Sequence, residues 1–288
     1  MRHRHKTTPY LLPTICIFAI IFSLSVYVAQ KFESRATVVL APALTLPKDT
    51  TPKLTAPIFL VFDIATGRPL MAQGAEQIVP IASVTKLFAA ATLVREFNLQ
   101  ATTSITWSDL EGGGEAGKLA FGQNYSYQNL LFPLLLESSN DAAKVLVRAI
   151  EGRLIPAMNS WAKTVGANQT VFVDASGLAD DNVSTANDLQ LLLSEVFKNE
   201  PHVFDISTLP QYIGSYTGWL NNNPVAREPG YLGGKHGYTV AANRTLAAVF
   251  DETINGHVYT LGYIILGSAD IKADVDILRQ FINNSTSG

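Results

Sequence analysis

Residues 244–267 read RTLAAVFDETINGHVYTLGYIILG, two long runs rich in β-branched and aromatic residues around Asn255-Gly256. An Asn-Gly pair between such runs is a strong hairpin signal, because both central residues of the tight turn take positive φ. The stretch predicts two strands, Arg244–Asp251 and His257–Gly267. Toward the N-terminus, Ile58–Ile64 is another β-type run, Ala65–Arg68 has turn composition and Pro69–Ala72 returns, giving a second hairpin. Between these ends the pattern is helical. Leu87, Ala90, Ala91, Val94 and Phe97 recur at spacings of three and four, which predicts a helix from about Ser83 to Phe97. Tyr127–Leu136, Asp141–Ile150, Ile155–Val165 and Ala186–Lys198 read as further helices, Gly112–Gly122 as a glycine-rich surface loop and Asp274–Ile282 as a terminal helix. The order predicts an α/β fold of the α+β kind, an antiparallel sheet formed by both ends of the body with a helical cluster inserted between them. An active site belongs where sheet and insert meet.

The 288 residues are 47% apolar and 16% charged, with one cysteine. This composition excludes a disordered chain, a disulfide scaffold and a polytopic membrane protein. Arg2, Arg4, Lys6 and Lys31 are the only charges before Glu33, so the remaining body is acidic and offers no electrostatic footprint for nucleic acid. Leu11–Ala29 is a mainly apolar run of 19 residues. A hydrocarbon core of about 30 Å needs roughly that length of helix. The basic residues ahead of it keep the N-terminus in the cytoplasm and send the rest across. No clean small-x-small cleavage site follows, which favours an uncleaved anchor over a signal peptide. Cys16 reads as filler within the run. Pro42, Pro47 and Pro52 make the next stretch a semi-rigid tether, the alternative being a strand at Ala36–Leu40. The expected organisation is a cytoplasmic tail at 1–6, a membrane anchor at 7–30, a tether at 31–56 and one globular domain at 57–288 outside the cytoplasm.

Three short motifs carry chemistry. Ser83-Val84-Thr85-Lys86 opens a predicted helix, and one helical turn puts Lys86 on the face of Ser83, within reach of its hydroxyl proton if the amine is desolvated and neutral. Taken alone, the pair is a helix start followed by a solvated lysine, and a second SxxK at Ser160–Lys163, placed mid-helix, shows how little the spacing means without context. Ser138-Ser139-Asn140 is the only SxN and falls at a helix junction, where the same residue types also serve as caps. Lys235-His236-Gly237 is the only KxG, with Gly233 and Gly234 before it and Tyr238 and Thr239 after it. Glycines in a strand permit close approach of a ligand or another backbone, and a lysine there offers charge to a carboxylate.

Ser138 follows Ser83 by 55 residues and Lys235 follows Ser138 by 97. In that order the motifs resemble those of the penicillin-interacting serine peptidases, most closely the low-molecular-mass D-alanyl-D-alanine carboxypeptidases and related endopeptidases. Ile81–Leu87, Leu135–Ala143, Asp174–Leu178 and Ser184–Ala186 resemble the corresponding family segments, so the likeness runs from about Pro57 to Gly267. It implies a β-lactamase/transpeptidase-like fold and an acyl-enzyme route. By position, the resemblance makes Ser83 the nucleophile and Lys86 its base. Ser138 passes a proton to the departing D-alanine, and Asn140 orients the substrate amide and Lys86. Lys235, His236, Gly237 and Thr239 form the carboxylate-binding strand, and the amides of Ser83 and Tyr238 form the oxyanion hole. No cofactor and no metal is implied. The implied partners are a peptidoglycan pentapeptide ending in D-Ala-D-Ala, with β-lactams as covalent inhibitors, and the membrane through the N-terminal helix.

Two positions depart from the family. His236 stands where threonine or serine is usual, which predicts altered carboxylate recognition and acid-favoured activity if the imidazole titrates at the site, or no effect if it points away. Asn243 stands where glycine is common. A class A β-lactamase would need a deacylating glutamate, and no ExxLN-like segment lies between Asn140 and Lys235. A metallopeptidase would need HExxH or similar spacing, which the five histidines lack. A peptidoglycan-binding pseudoenzyme would have no reason to keep Ser83, Lys86, Ser138, Asn140 and Lys235 together. Trimming, cross-link cleavage and transpeptidation share one acyl-enzyme and are not separated by the motifs.

Overall fold

The structure, a computed structural model, describes residues 44, 51–112 and 116–285. The chain divides into two units, residues 1–42 and 43–288, and every described residue belongs to the second. The expected tail, the membrane anchor and the alternative strand at Ala36–Leu40 lie outside the described residues, as does much of the tether. Among the described residues, no helix is long and apolar enough to cross a membrane.

Strand β1 (Ile58–Asp63) and strand β2 (Pro69–Gln73) form the first hairpin, and the two-residue strand β3 (Val79–Pro80) leads to a 3-10 turn, Ala82–Val84. The insert then contains α1 (Thr85–Glu96), β4 (Thr102–Ser104), α2 (Trp107–Leu110), β5 (Asn124–Ser126), α3 (Tyr127–Leu136), α4 (Asn140–Ala149) and α5 (Leu154–Val165). It continues with β6 (Val183–Ser184), α6 (Ala186–Asn199), α7 (Pro201–Thr208), β7 (Gln211–Ile213) and β8 (Gly218–Leu220). Strands β9 (Tyr231–Thr239), β10 (Asn243–Ile254) and β11 (His257–Ser268) complete the sheet, and α8 (Ile271–Ser285) closes the described chain.

The five-stranded sheet has the order β2-β1-β11-β10-β9. Its neighbouring pairs β2-β1, β1-β11, β11-β10 and β10-β9 are all antiparallel. It is therefore assembled from both ends of the body, as the alternation of elements predicts. Asn255 and Gly256 carry the β10–β11 turn with φ of +50° and +78°, the backbone that an Asn-Gly turn requires.

Both faces of the sheet are covered, which explains why β1 reads as an unbroken apolar run. Ile58, Leu60 and Phe62 join the core shared with the helical insert, while Phe59 and Val61 are just as buried without belonging to it. Val275, Leu278 and Ile282 of α8 are likewise buried. The two ends are fastened together at Asp274, buried at the start of α8. Its carboxylate accepts from the Thr55 amide at 2.8 Å, the Thr55 hydroxyl at 2.7 Å, the Ala56 amide at 3.0 Å and the Ser268 hydroxyl at 2.7 Å. Thr55 and Ala56, assigned to the tether by composition, are thus bonded into the body.

Candidate active site

The site is built where the 3-10 turn meets β9 and the start of α4. Ala82, immediately before Ser83, has φ of +48°, a conformation costly for a residue with a β-carbon and one that clusters at functional sites. Packing holds it there. The Ile81 amide donates to the Asn182 carbonyl at 3.0 Å, and the Thr245 hydroxyl on β10 donates to the Ile81 carbonyl at 2.9 Å. No side chain caps the 3-10 turn or the helix that follows it, so the Ser83 hydroxyl is not spent on the helix end.

Lys86 is fully buried, and its Nζ has three oxygen neighbours. Ser83 Oγ lies 3.0 Å away, Asn140 Oδ1 at 2.7 Å and the Ser176 carbonyl at 2.6 Å. Burial lowers its pKa from 10.5 to about 7, against a smaller upward pull from the Asp174 carboxylate. A neutral lysine amine has two N–H bonds and one lone pair. With the N–H bonds directed to Asn140 Oδ1 and the Ser176 carbonyl, the lone pair faces the Ser83 hydroxyl and can accept its proton.

Asp174 and Ser176 were not singled out for this role from sequence. The Asp174 carboxylate accepts from the amides of Ser176, Gly177 and Ala179 and from the Ser176 hydroxyl. Although burial opposes its charge, these bonds hold its pKa below the ordinary aspartate value. The resulting turn fixes the loop that brings the Ser176 carbonyl to Lys86. Gly177 in that loop has φ of +76°, and a β-carbon there would stand 1.9 Å from the Ala82 carbonyl oxygen. Asp-x-Ser-Gly is itself a turn signal, but a main-chain acceptor leaves no mark in composition.

The second motif occupies the α3–α4 junction. The Ser139 hydroxyl accepts from the Ala142 amide and caps α4, which leaves Ser138, at φ +62°, on the bend before the helix with its hydroxyl unspent on the cap. Asn140 begins α4 and reaches Lys86. The third motif lies on β9, the edge strand. At Gly237 a β-carbon would stand 2.5 Å from the Ser83 amide nitrogen. Lys235 is fully buried, with Nζ donating to the His236 carbonyl at 2.7 Å. Burial, and then the charge of nearby Lys86, push its pKa well below the ordinary lysine value. The charge of an anion arriving beside it would pull that pKa back up. Tyr238 carries its amide one residue past Gly237. The Thr239 hydroxyl accepts from the Ala242 amide at 3.0 Å and so helps hold the β9–β10 turn.

The two departures have structural readings. His236 lies opposite Leu246 on β10, whereas Lys235 and Gly237 lie opposite Ala247 and Thr245. Because side chains alternate along a strand, the imidazole belongs to the face away from Lys235. Its Nδ1 is buried without a hydrogen bond. Burial, followed by the charges of Lys235 and Lys86, pushes its pKa well below the ordinary histidine value. Both effects favour the neutral ring, which argues against acid-favoured activity. Asn243 has φ of +52°, the left-handed region that asparagine tolerates best after glycine. Arg244 places its guanidinium over the Tyr238 ring, 5.5 Å from the centroid, and behaves as a strand residue. The second SxxK, Ser160 and Lys163, lies exposed on α5, remote in role from the cluster. Among the described residues, no group of histidine, cysteine, aspartate and glutamate side chains could hold a metal ion.

Comparison with known proteins agrees with this geometry. A family model described as D-alanyl-D-alanine carboxypeptidase matches residues 46–258. A D-alanyl-D-alanine carboxypeptidase of Mycobacterium tuberculosis is 30% identical over 214 residues, covering 71% of this chain and 72% of that protein. A D-alanyl-D-alanine endopeptidase of Escherichia coli is 30% identical over 272 residues, covering 92% of this chain and 78% of its own. Among solved structures, penicillin-binding protein D2 of Listeria monocytogenes with ampicillin bound superposes with a TM-score of 0.70 at 25% identity, covering 81% of this chain and 98% of that one.

Proposed function

The chain belongs to the D-alanyl-D-alanine carboxypeptidase family of serine hydrolases, and on that premise we propose how its residues remove the terminal D-alanine of a peptidoglycan stem peptide. Lys86 Nζ takes the proton from Ser83 Oγ as the oxygen attacks the carbonyl between the two D-alanines. The Oγ–C bond forms, and the amides of Ser83 and Tyr238 receive the oxyanion. The C–N bond then breaks, Ser138 relays a proton to the departing amine, and D-alanine leaves. Water next adds to the acyl-enzyme, its proton returning through Lys86, and the ester oxygen leaves as the Ser83 hydroxyl. Asn140 holds both Lys86 and the substrate amide, and Lys235 attracts the terminal carboxylate.

The observation that carries this reading is the lysine amine, held near neutrality with two oxygen acceptors fixed and its third direction on Ser83. It supports turnover over simple binding, because a site that only bound peptide would gain nothing from a buried amine of pKa about 7. The test is D-alanine release from a peptide ending in D-Ala-D-Ala. Wild type should release it, and Ser83→Ala should not.

The extent of likeness to an endopeptidase favours one further reading, cleavage of a D-alanyl cross-link by the same acyl-enzyme with a larger leaving group. Incubation with a cross-linked peptide dimer separates the two, since only an endopeptidase converts it to monomers. We also infer that Leu11–Ala29 anchors the domain to the membrane with the basic tail inside. Alkaline extraction of membranes tests this, the full chain staying with the pellet.

A further inference from the structure

Glu137 and Ser138 are neighbours in the bend between α3 and α4, and the mechanism uses only the second. Helix α3 ends at Leu136 and α4 begins at Asn140, so the residues at 137, 138 and 139 turn the chain. Ser138, in the middle, has φ of +62°, a conformation that is costly for a residue with a β-carbon and persists only where the surroundings hold it. The residues on either side are held. The Ser139 amide donates to the Pro133 carbonyl at 3.0 Å, the Asn222 amide donates to the Leu136 carbonyl at 3.0 Å, and Asn222 Nδ2 donates to the Glu137 carbonyl at 3.1 Å.

The Glu137 side chain, only 12% exposed, adds ties to two segments remote in sequence. Oε2 accepts from the Gly117 amide at 3.0 Å, and Oε1 accepts from Lys118 Nζ at 2.7 Å and from the Leu220 amide at 3.2 Å. Those segments are also joined to each other, Lys118 Nζ donating to the Gly218 carbonyl at 3.0 Å and Trp219 Nε1 to the Gly117 carbonyl at 2.6 Å. They press on the bend as well, since a β-carbon at Gly117 would stand 2.3 Å from Ser139 Oγ. Capping of α4 requires none of this, because the Ser139 hydroxyl already supplies it. An exposed ion pair by itself would contribute little, but here two main-chain amides and an ammonium converge on one carboxylate. Glu137 is therefore the point at which β8 and residues 117–118 are fixed to the residue before Ser138.

We propose that Glu137 is a positioning residue for Ser138. By fixing the bend to β8 and to residues 117–118, its carboxylate keeps the Ser138 hydroxyl directed at the nitrogen of the departing D-alanine. This role rests on the peptidase reading, in which the proton that Lys86 takes from Ser83 passes to Ser138 while Ser138 gives its own to that nitrogen as the C–N bond breaks. Only a leaving group that needs the proton registers a displaced Ser138. An amine nitrogen does not leave as an anion. A thiolate does, because thiols ionise near pH 8.5, roughly within reach of neutrality.

The test uses the full chain and two substrates with the same acyl part, acetyl-Lys-D-Ala-D-Ala and the thioester in which D-thiolactate replaces the terminal D-alanine. Release of D-alanine or of free thiol gives kcat/KM, which covers the steps up to departure of the leaving group. Glu137→Gln keeps the shape but exchanges an acceptor oxygen for a donor. It should lower kcat/KM for the amide about tenfold to a hundredfold, the scale of a displacement of about 1 Å, and leave the thioester within a small factor of wild type. Ser138→Ala should lower the same amide-to-thioester ratio, and adding Glu137→Gln to it should lower the ratio no further, because two residues acting through one group are not additive. Asn222→Ala, at an exposed position, removes a bond to the Glu137 carbonyl and should lower the ratio in the same direction. Should Glu137→Gln fail to fold, an unchanged ratio in Asn222→Ala overturns the proposal. Equal losses on both substrates in Glu137→Gln would make Glu137 a structural tie and overturn the proposal while leaving the peptidase intact. An unchanged ratio in Ser138→Ala, or a further fall in the double variant, would overturn it too. Release from neither substrate by wild type would overturn the peptidase reading, and the positioning role with it.

Discussion

Gly237 on β9 lies so close to Ser83 that a β-carbon at position 237 would stand 2.5 Å from the Ser83 amide nitrogen. The same atom would meet Thr245 Oγ1 at 2.9 Å, and Thr245 is what fastens β10 to the Ile81 carbonyl. The absence of a side chain therefore sets the gap between the strand and the turn of Ser83, the gap in which the proposed oxyanion donors, the amides of Ser83 and Tyr238, would converge.

Gly237→Ala should widen that gap and misplace one oxyanion donor. Loss of such a donor costs about a hundredfold to a thousandfold in rate. Acylation by a penicillin, followed by stopped-flow or quenched mass spectrometry, should slow to that extent while the far-ultraviolet circular dichroism of the variant stays that of wild type.

The rate of acylation should rise with pH through about 7, because Lys86 acts only when neutral and its folded pKa lies near that value. Asp174 pulls that pKa upward, so Asp174→Asn should move the inflection to lower pH. It should also lower the plateau, since the turn that carries the Ser176 carbonyl loses one of its two acceptor oxygens and gains a donor there. An inflection that stays in place would show that the Asp174 charge does not reach Lys86.

His236→Thr should leave the inflection where it is in wild type. The imidazole lies on the face of β9 away from Lys235 and is held neutral by burial, so it has no proton to lose near pH 7. A shift of the inflection in a pH series of acylation rates would contradict this.

The architecture was legible where residues impose backbone conformation or periodicity. Asn255-Gly256 located the long hairpin, and helices such as Tyr127–Leu136 follow their apolar spacing with the expected bounds. Helix α7 has a proline at its first position and only eight residues, and the β7–β8 hairpin has three-residue strands, so neither carries enough periodicity to be read. The site was legible as side-chain types in order. Its main-chain parts were not: the Ser176 carbonyl at Lys86 and the positive φ of Ala82 are imposed by packing against the loop around Gly177, which no spacing records. The direction of His236 likewise follows from strand register, which is set by the neighbouring β10.

Asp274→Ala should remove the fastening between the two ends of the body. The carboxylate accepts four hydrogen bonds in a buried position, and their loss should cost about 2–4 kcal/mol. Tm should fall by roughly 5–15 °C in a thermal melt. Asp274→Asn, which keeps part of the acceptor capacity, should fall between the two.

Intact-protein mass spectrometry after incubation with a penicillin decides whether Ser83 is the nucleophile that Lys86 activates. Wild type should gain the full mass of one penicillin molecule, and peptide mapping should place the adduct on Ser83. Ser83→Ala should gain nothing, and Lys86→Ala should gain it at least a thousandfold more slowly, of the order lost when members of a catalytic unit are removed. An adduct of undiminished rate in Lys86→Ala, or any adduct in Ser83→Ala, would contradict the assignment.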